Sequence, residues 1–396
     1  MIYLDHAATT PLDEKVLEAM MPYLTTEFGN PSSVHAVGRE SRGAMERARE
    51  KVAETLNCDP REIVFTSGGT ESVNTVHKGV AFAHRAKGSH FIISAVEHHC
   101  VLECANWLSK NGFQVTTVPV NSEGWVDPKE VEKAIRKETV LISIMAANNE
   151  VGTIQPFRAI GQMARQKGIL FHTDAVQAYG KIPIDVQRDQ IDFLSVSGHK
   201  IYGPKGVGFF YHRKGVELMP LIHGGGQERD RRGGTENVAG IVGLGEAAQR
   251  MSEEPIERSR IQVMAQIFLD ELRRAYPEVK VNGPEKIEQK LPGILNISLP
   301  GMEGENLVHS LDAKGFAVSS GAACAAGSAP PSHVLMAMGR TAKEAKEGLR
   351  LSFGRGNTGE QVRKLIEVLP SITLGIQMVS SMFTDDDDPK PKKNKV

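Results

Sequence analysis

Three stretches of this 396-residue chain set reactive side chains among turn-forming neighbours. In the first, the apolar run Ile191 to Val196 reads as a strand. It delivers Ser197-Gly198-His199-Lys200-Ile201-Tyr202-Gly203-Pro204-Lys205-Gly206, whose glycines and proline force a turn. Lys200 therefore sits where a sheet edge meets a loop. A lone lysine is usually a solvated surface charge, so its company decides its reading. In the second stretch, Thr66-Ser67-Gly68-Gly69-Thr70-Glu71-Ser72, a strand gives way to a helix, and amides and the Thr70 hydroxyl face an anion at the helix's positive end. Alone, this is also an ordinary helix start with Thr70 as cap. It lacks a P-loop lysine and the G-x-G-x-x-G of a dinucleotide site, which disfavours nucleotides. In the third, the strand Gly168 to Thr173 ends in Asp174-Ala175-Val176-Gln177, placing a carboxylate at the sheet edge where ligands bind.

An anion cradle, a sheet-end acid and a strand-end lysine are the parts that pyridoxal phosphate needs. The acid keeps the pyridine nitrogen protonated and the lysine forms a Schiff base. A fourth candidate is Cys324, in the small-residue run Ser319-Ser320-Gly321-Ala322-Ala323-Cys324-Ala325-Ala326-Gly327-Ser328. That run reads as a mobile loop with nothing to bury a thiol against, which favours a thiol displayed for reaction. At a reference pKa near ~8.5 only a small fraction is thiolate at neutral pH, so the site must supply a base or a positive charge.

The elements that position these groups alternate. Short apolar strands at Ile63 to Thr66, His90 to Ala95, Phe113 to Val118, Val140 to Met145 and Gly168 to Thr173 are separated by helices at Glu71 to Arg85, His98 to Ser109, Pro128 to Lys137 and Pro156 to Lys167. The fold class this predicts is α/β, a mostly parallel central sheet with helices on both faces. Val207 to Tyr211 turns back against Ile191 to Val196. Helices at Asp13 to Tyr23 and Arg39 to Leu56 precede the sheet; Arg42, Glu46, Arg49 and Glu50 are expected on solvated faces of the second. Helices at Val238 to Met251 and Ile256 to Ala275 follow it. Weaker strands (Leu295 to Leu299, Ala317 to Ser319, Leu349 to Phe353) and helices (Asn306 to Lys314, Gly359 to Gly375) form a smaller α+β domain on which the opening residues pack. The expected division is 14–255 as the large domain, 1–13 with 256–383 as the small one, and 384–396 as a charged, disordered tail.

With 47 basic and 48 acidic side chains the formal charge is -1, which argues against general affinity for nucleic acid or anionic membrane. No signal peptide or apolar span is apparent, and the cytoplasm is the expected location. Four cysteines make no disulfide framework. Cys100 and Cys104 beside His98 and His99 fit no zinc spacing and read as buried helical cysteines.

The chain resembles pyridoxal-phosphate enzymes of the aspartate-aminotransferase fold, and among these the cysteine desulfurases of the NifS/IscS type. The resemblance runs from Tyr3 to about Phe353. It is carried by Leu4-Asp5-His6-Ala7-Ala8-Thr9-Thr10-Pro11, Thr66 to Glu71, Asn148-Asn149-Glu150-Val151-Gly152, Asp174 to Gln177, Ser197 to Lys200, Arg232-Gly233-Gly234-Thr235-Glu236-Asn237 and Ser319 to Cys324. It implies that Lys200 joins the cofactor, Asp174 meets the pyridinium nitrogen and Gln177 the phenolic oxygen. Gly69, Thr70, Ser197 and His199 would hold the phosphate, with Thr235 reaching it from the other subunit of a homodimer. His98 would stack on the ring and shuttle protons, while Asn149 and Arg350 orient the substrate carboxylate. A guanidinium fork suits that last task independently. The implied reaction converts L-cysteine to L-alanine: the freed Lys200 amine takes the α-proton, the Cys324 thiolate attacks the cysteine sulfur, and a persulfide passes to an acceptor. An iron-sulfur scaffold is the chief expected acceptor, with Cys324 as a shared iron-sulfur ligand through its persulfide during transfer. His6 and Ala7 stand where Asn-Asn is commoner, and Ala322 where serine is usual. The Cys324 to His333 span has the NifS/IscS length, which weakens the need for an activator. Two alternatives stay open: an aminotransferase or selenocysteine lyase on the same cofactor, with Cys324 incidental, and a non-catalytic sulfur-relay protein.

Overall fold

The computed structural model describes residues 1–253, 255–320 and 330–384. Cys324 and the charged tail after Thr384 lie outside them. Strands β2 (Ile63–Thr66), β3 (His90–Ser94), β4 (Gln114–Val118), β5 (Thr139–Ser143), β6 (Leu170–Asp174), β7 (Phe193–Ser197) and β8 (Gly208–His212) form a seven-stranded sheet in the order β2-β8-β7-β6-β5-β3-β4. β3 to β7 run parallel, and β8 lies antiparallel between β7 and β2. The expected mostly parallel sheet and the reversal after Gly206 are both present.

Apart from the edge strand β4, the parallel strands are buried almost throughout because both faces are covered. On one face α3 (Gly69–Ala83) and α4 (His99–Lys110) pack Val76, Val80 and Leu108 against Phe91, Leu141, Phe193 and Phe210. On the other, α1 (Glu14–Thr25), α2 (Ala36–Leu56), α6 (Phe157–Lys167) and α8 (Val238–Glu253) bring Val52, Leu56, Ile160 and Leu244 onto Ile92, Ile142, Phe171 and Val196. Each fully buried side chain of this size contributes roughly 1.5–3 kcal/mol. α5 (Pro128–Ala134) covers the β4 side, starting from the Asp127 cap.

A second core gathers α9 (Pro255–Ala275), α10 (Gly304–Ala313) and α13 (Gly359–Thr384) over β9 (Lys280–Asn282), β10 (Ile294–Ser298) and β12 (Gly348–Ser352), with Phe268, Leu307 and Leu365 at its centre. β1 (Ile2–Tyr3) pairs in parallel with β11 (Phe316–Ala317), and Leu4 is buried in this core, so the opening residues do pack there. α13 runs nine residues past its expected end at Gly375 and includes Thr384, expected in the tail. Gly375 costs a helix only about 1 kcal/mol, and nothing after it up to Thr384 breaks one. Short helices α11 (His333–Ala337) and α12 (Ala342–Lys346) lead into β12.

Arg49 does not solvate α2. Its guanidinium is buried, donating to both Glu228 carboxylate oxygens at 2.7 and 2.8 Å and to the Ile63 carbonyl at 2.8 Å. Arg42 and Glu50 are exposed as expected. Glu228 belongs to the short turn α7 (Gln227–Asp230), where Glu228, Arg229 and Asp230 take φ of 49°, 58° and 63°. Left-handed backbone costs a non-glycine residue on the order of 1–2 kcal/mol, and the buried ion pair holds the turn in place. Arg49→Ala is expected to lower stability by roughly 3–5 kcal/mol in urea unfolding, because Glu228 is left buried without a counter-charge. Adding Glu228→Ala should recover part of that loss; strictly additive effects would show that the pair is not coupled.

Candidate active site

The carboxyl ends of β2, β6 and β7 and the segments after β3 and β5 meet at one edge of the large sheet, around a pocket of about 730 Å³. Such a volume is typical of a cofactor or ligand site. Between β2 and α3 the chain turns at Gly68, whose φ of +151° suits glycine alone. Gly68, not Thr70, caps α3, and it does so without a side-chain bond. The first amides of α3 therefore have no intrahelical acceptor, and Gly69 and Thr70 line the pocket opposite Ser197 and His199.

Lys200 ends a tight turn, Gly198–Lys200, that follows β7 directly. Its Nζ donates to the carbonyl oxygens of Ala7 and Ala8 at 2.6 and 2.7 Å. The opening segment is fixed to the same turn: the Thr10 amide and hydroxyl both donate to the His199 carbonyl at 2.9 Å, and His199 Nδ1 lies 3.1 Å from Thr9 Oγ1. Burial, helped by the nearby Arg350 charge, pulls the Lys200 amine down to about 8.

Asp174 is the last residue of β6 and is buried. Its Oδ1 accepts from the Val176 amide at 2.9 Å, and among the described residues it forms no ion pair, the Lys200 charge acting on it only from a distance. Burial pushes its carboxyl up to about 6. One row deeper, a buried polar chain runs from His77 Nε2 to Ser143 Oγ (2.9 Å), on to His172 Nδ1 (2.8 Å), and from His172 Nε2 to Ser195 Oγ (2.9 Å). It links α3 to β5, β6 and β7 just below Asp174 and Ser197. Gln177 donates through Nε2 to the Ala7 carbonyl at 2.8 Å.

His98 caps α4, accepting from the Cys100 amide through Nδ1 at 3.2 Å. In the neutral ring this bond leaves the proton on Nε2, the tautomer being inferred from the network. Partial enclosure and the Lys200 charge lower its pKa, so the ring is neutral at pH 7. Arg350 lies in β12, buried, with one NH₂ donating to Asp5 Oδ1 at 2.8 Å and the other to the Asn149 carbonyl at 3.0 Å. Asp5 thus aims the guanidinium, while Asn149 and Arg350 line the pocket.

The structure therefore brings together Gly69, Thr70, His98, Asn149, Asp174, Gln177, Ser197, His199, Lys200 and Arg350. It does not bring Thr235 there: that residue is exposed and away from the pocket of its own chain. Cys324 lies outside the described residues. Asp5, the Ala7 and Ala8 carbonyls and Lys181 were missed by sequence reasoning. The first three fall inside the Leu4 to Pro11 motif, which was the available signal. Cys100 and Cys104 lie on α4, with Cys104 buried and Cys100 partly so. Among the described residues, no cluster of His, Cys, Asp and Glu could hold a metal ion, and no helix is long and apolar enough to cross a membrane.

Residues 2–365 match the family described as "Aminotransferase class-V", and the chain belongs to that family. Within it, the chain is 49% identical over 381 residues to "Cysteine desulfurase IscS" of Methanosarcina thermophila, covering 96% of this chain and 94% of that one. Among solved structures, a "NifS-like protein" superposes with a TM-score of 0.88 at 41% identity, over 94% of this chain and 99% of its own. Another, "SspA in complex with cysteine", reaches 0.79 at 40% identity, over 90% and 100%. Membership makes this a pyridoxal 5'-phosphate enzyme. The pocket fits that cofactor: helix-start amides for a phosphate, a buried carboxylate lacking a cation, and an amine of lowered basicity facing the same space.

The raised Asp174 pKa has a signed consequence. The folded, cofactor-free protein binds more protons at this group than the unfolded chain between about pH 4 and 6, so its contribution to stability is present at low pH and lost as the pH rises through about 6. Asp174→Asn should therefore raise the melting temperature of cofactor-free protein at pH 7, by on the order of 1–3 kcal/mol of stability. The gain should shrink as the pH falls below about 5 in calorimetry. A lower melting temperature than wild type at pH 7 would contradict it.

Proposed function

We propose that this enzyme is a cysteine desulfurase, converting L-cysteine to L-alanine and carrying the sulfur as a persulfide on Cys324 to acceptors, chiefly for iron-sulfur cluster assembly. The observation that carries the reading is the convergence of Lys200, Asp174 and Arg350 on one pocket in a chain that matches cysteine desulfurases along nearly its whole length.

The residues divide the work. Gly69, Thr70, Ser197 and His199 would hold the cofactor phosphate, Asp174 its ring nitrogen and Gln177 its phenolic oxygen, and Lys200 would be its point of covalent attachment. When bound, pyridoxal phosphate supplies the electron sink that stabilises negative charge at the substrate's α-carbon. Arg350, aimed by Asp5, binds the substrate carboxylate together with Asn149. The Lys200 amine, of lowered basicity, accepts the α-proton near neutral pH. His98, neutral and carrying its proton on Nε2, lies over the pocket to donate or accept a proton on that face. The Cys324 thiolate attacks the substrate sulfur: a sulfur–sulfur bond forms as the carbon–sulfur bond breaks, the electron pair left on the β-carbon is protonated, and the α-proton taken by Lys200 returns to the α-carbon to give alanine. On transfer to a scaffold, the Cys324 persulfide acts as a shared iron-sulfur ligand.

We also infer a cytoplasmic homodimer in which Thr235 of the partner subunit completes the phosphate site. The exposed position of Thr235 supports this, as does an apolar stripe of Leu17, Met21, Leu24 and Phe28 left open along and after α1. In this reading residues 14–255 form the large domain, and 1–13 with 256–383 the small one.

Cys324→Ala is expected to reduce persulfide and alanine production from L-cysteine by a factor on the order of 10³ or more. The visible band of the bound cofactor and the borohydride-reducible adduct at Lys200 should remain. Alanine production that survives the substitution under reducing conditions would favour a lyase or aminotransferase. A protein that takes up no cofactor would favour a non-catalytic sulfur carrier.

A further inference from the structure

A second lysine lies behind the first. Lys181 follows β6 by seven residues, on the stretch that leaves Asp174 and Gln177, and its Nζ donates to Gln177 Oε1 at 3.1 Å. The Gln177 Nε2 donates in turn to the Ala7 carbonyl, which also accepts from Lys200 Nζ. Lys181 and Lys200 both border a cavity of about 40 Å³ beneath the pocket. That volume leaves room for water to satisfy ammonium hydrogens that Gln177 does not take.

We propose that Lys181 is a positioning residue, which sets the sense of the Gln177 amide and places a second cation beside Lys200. This deepens the pyridoxal reading of the same pocket and rests on it. The amide argument is one of donors and acceptors. A flipped Gln177 would set its NH₂ against the Lys181 ammonium and its oxygen against the Ala7 carbonyl, so both contacts would be repulsive. The observed sense keeps Nε2 on the Lys200 side, where it can donate to an oxygen anion.

The charge argument follows from the neighbours. Lys200 faces Lys181, Arg350 of β12, Asp174 of β6 and Asp5 of the opening segment, with the His98 and His199 rings close by. Asp5 is already paired with Arg350. Lys181 faces Lys200 and Arg350 and also acts on His6 and His199, and the cavity it borders is lined as well by Glu257 and Arg258 of α9 and by Arg355. Cations crowded in this way each make it harder for the next to hold a proton, and Lys181 itself is drawn down to about 7, chiefly by burial. The coupling is reciprocal, so wherever Lys181 still carries its proton it favours Lys200 as a neutral nitrogen.

The test is a pH titration of the visible absorbance of full-length holoenzyme without substrate, which reports the proton on the Lys200–cofactor linkage directly and needs no turnover. Lys181→Met and Lys181→Gln remove the charge in two ways, and Lys181→Arg keeps it. The midpoint should rise by about one pH unit in both neutral variants and stay within a few tenths of wild type in Lys181→Arg. An unchanged or lowered midpoint in a neutral variant that melts like wild type overturns the proposal. So does a Lys181→Arg midpoint that moves with the neutral ones, since shape and not charge would then be at work. Wild-type protein that shows no visible band with added pyridoxal phosphate refutes the cofactor reading instead, so the two failures are distinguishable.

Discussion

The structure depends on one interaction above the others, the hold of the Ala7 and Ala8 carbonyls on the Lys200 amine. A lysine on a loop has several rotatable bonds and costs up to about 2 kcal/mol of side-chain entropy to fix. Two backbone oxygens within 2.7 Å fix it, provided that the backbone bearing them cannot move. That condition explains how tightly the opening segment is tied. The Ala7 amide donates to Ser352 Oγ, the Ser352 amide to the Leu4 carbonyl, and Leu4 is anchored in the second core. The reactive lysine of the large sheet is thus aimed by a strap whose other attachments lie in the smaller one.

The charged side chains of the site are not matched in number by partners of their own chain placed beside them. Lys181, Lys200 and Arg350 crowd one side, Asp5 pairs directly with Arg350 and acts on Lys200 only from a distance, and Asp174 is buried with no ion pair among the described residues. Each departure has a partner among the charges that cofactor and substrate carry: a phosphate, a pyridinium and a carboxylate. Holding these groups pre-organised for such charges costs folding stability.

The large sheet could be read from sequence because its strands are short segments rich in apolar and β-branched residues bounded by helices and turns, and each lies within about two residues of its expected position. The lysine, the aspartate and the helix-start glycines could be read for the same reason, since each sits at the end of a strong element. What could not be read was long-range or made by backbone. Arg49 looks like any helix surface arginine until Glu228, 179 residues on, is known to meet it. Main-chain carbonyls carry no side-chain signature, so the receivers of the Lys200 amine were invisible. β1 and β9 are too short for periodicity to register. Lys181 had no pattern around it, and only the register of the turn after β6 brings it under Gln177.

The strap has one further consequence, for the order in which the protein can be made. Asp5 and Ala7 are made well before their partners Arg350 and Ser352, which each follow 345 residues later. A nascent chain that has already exposed Lys200 and Asp174 lacks the guanidinium and the strap anchor that complete the pocket. Contacts of such sequence separation form late, after the loop between them has been closed by the rest of the fold. The chemistry is therefore withheld from chains that lack β12, and a reactive amine is not shaped for its substrate until Arg350 and Ser352 have been made.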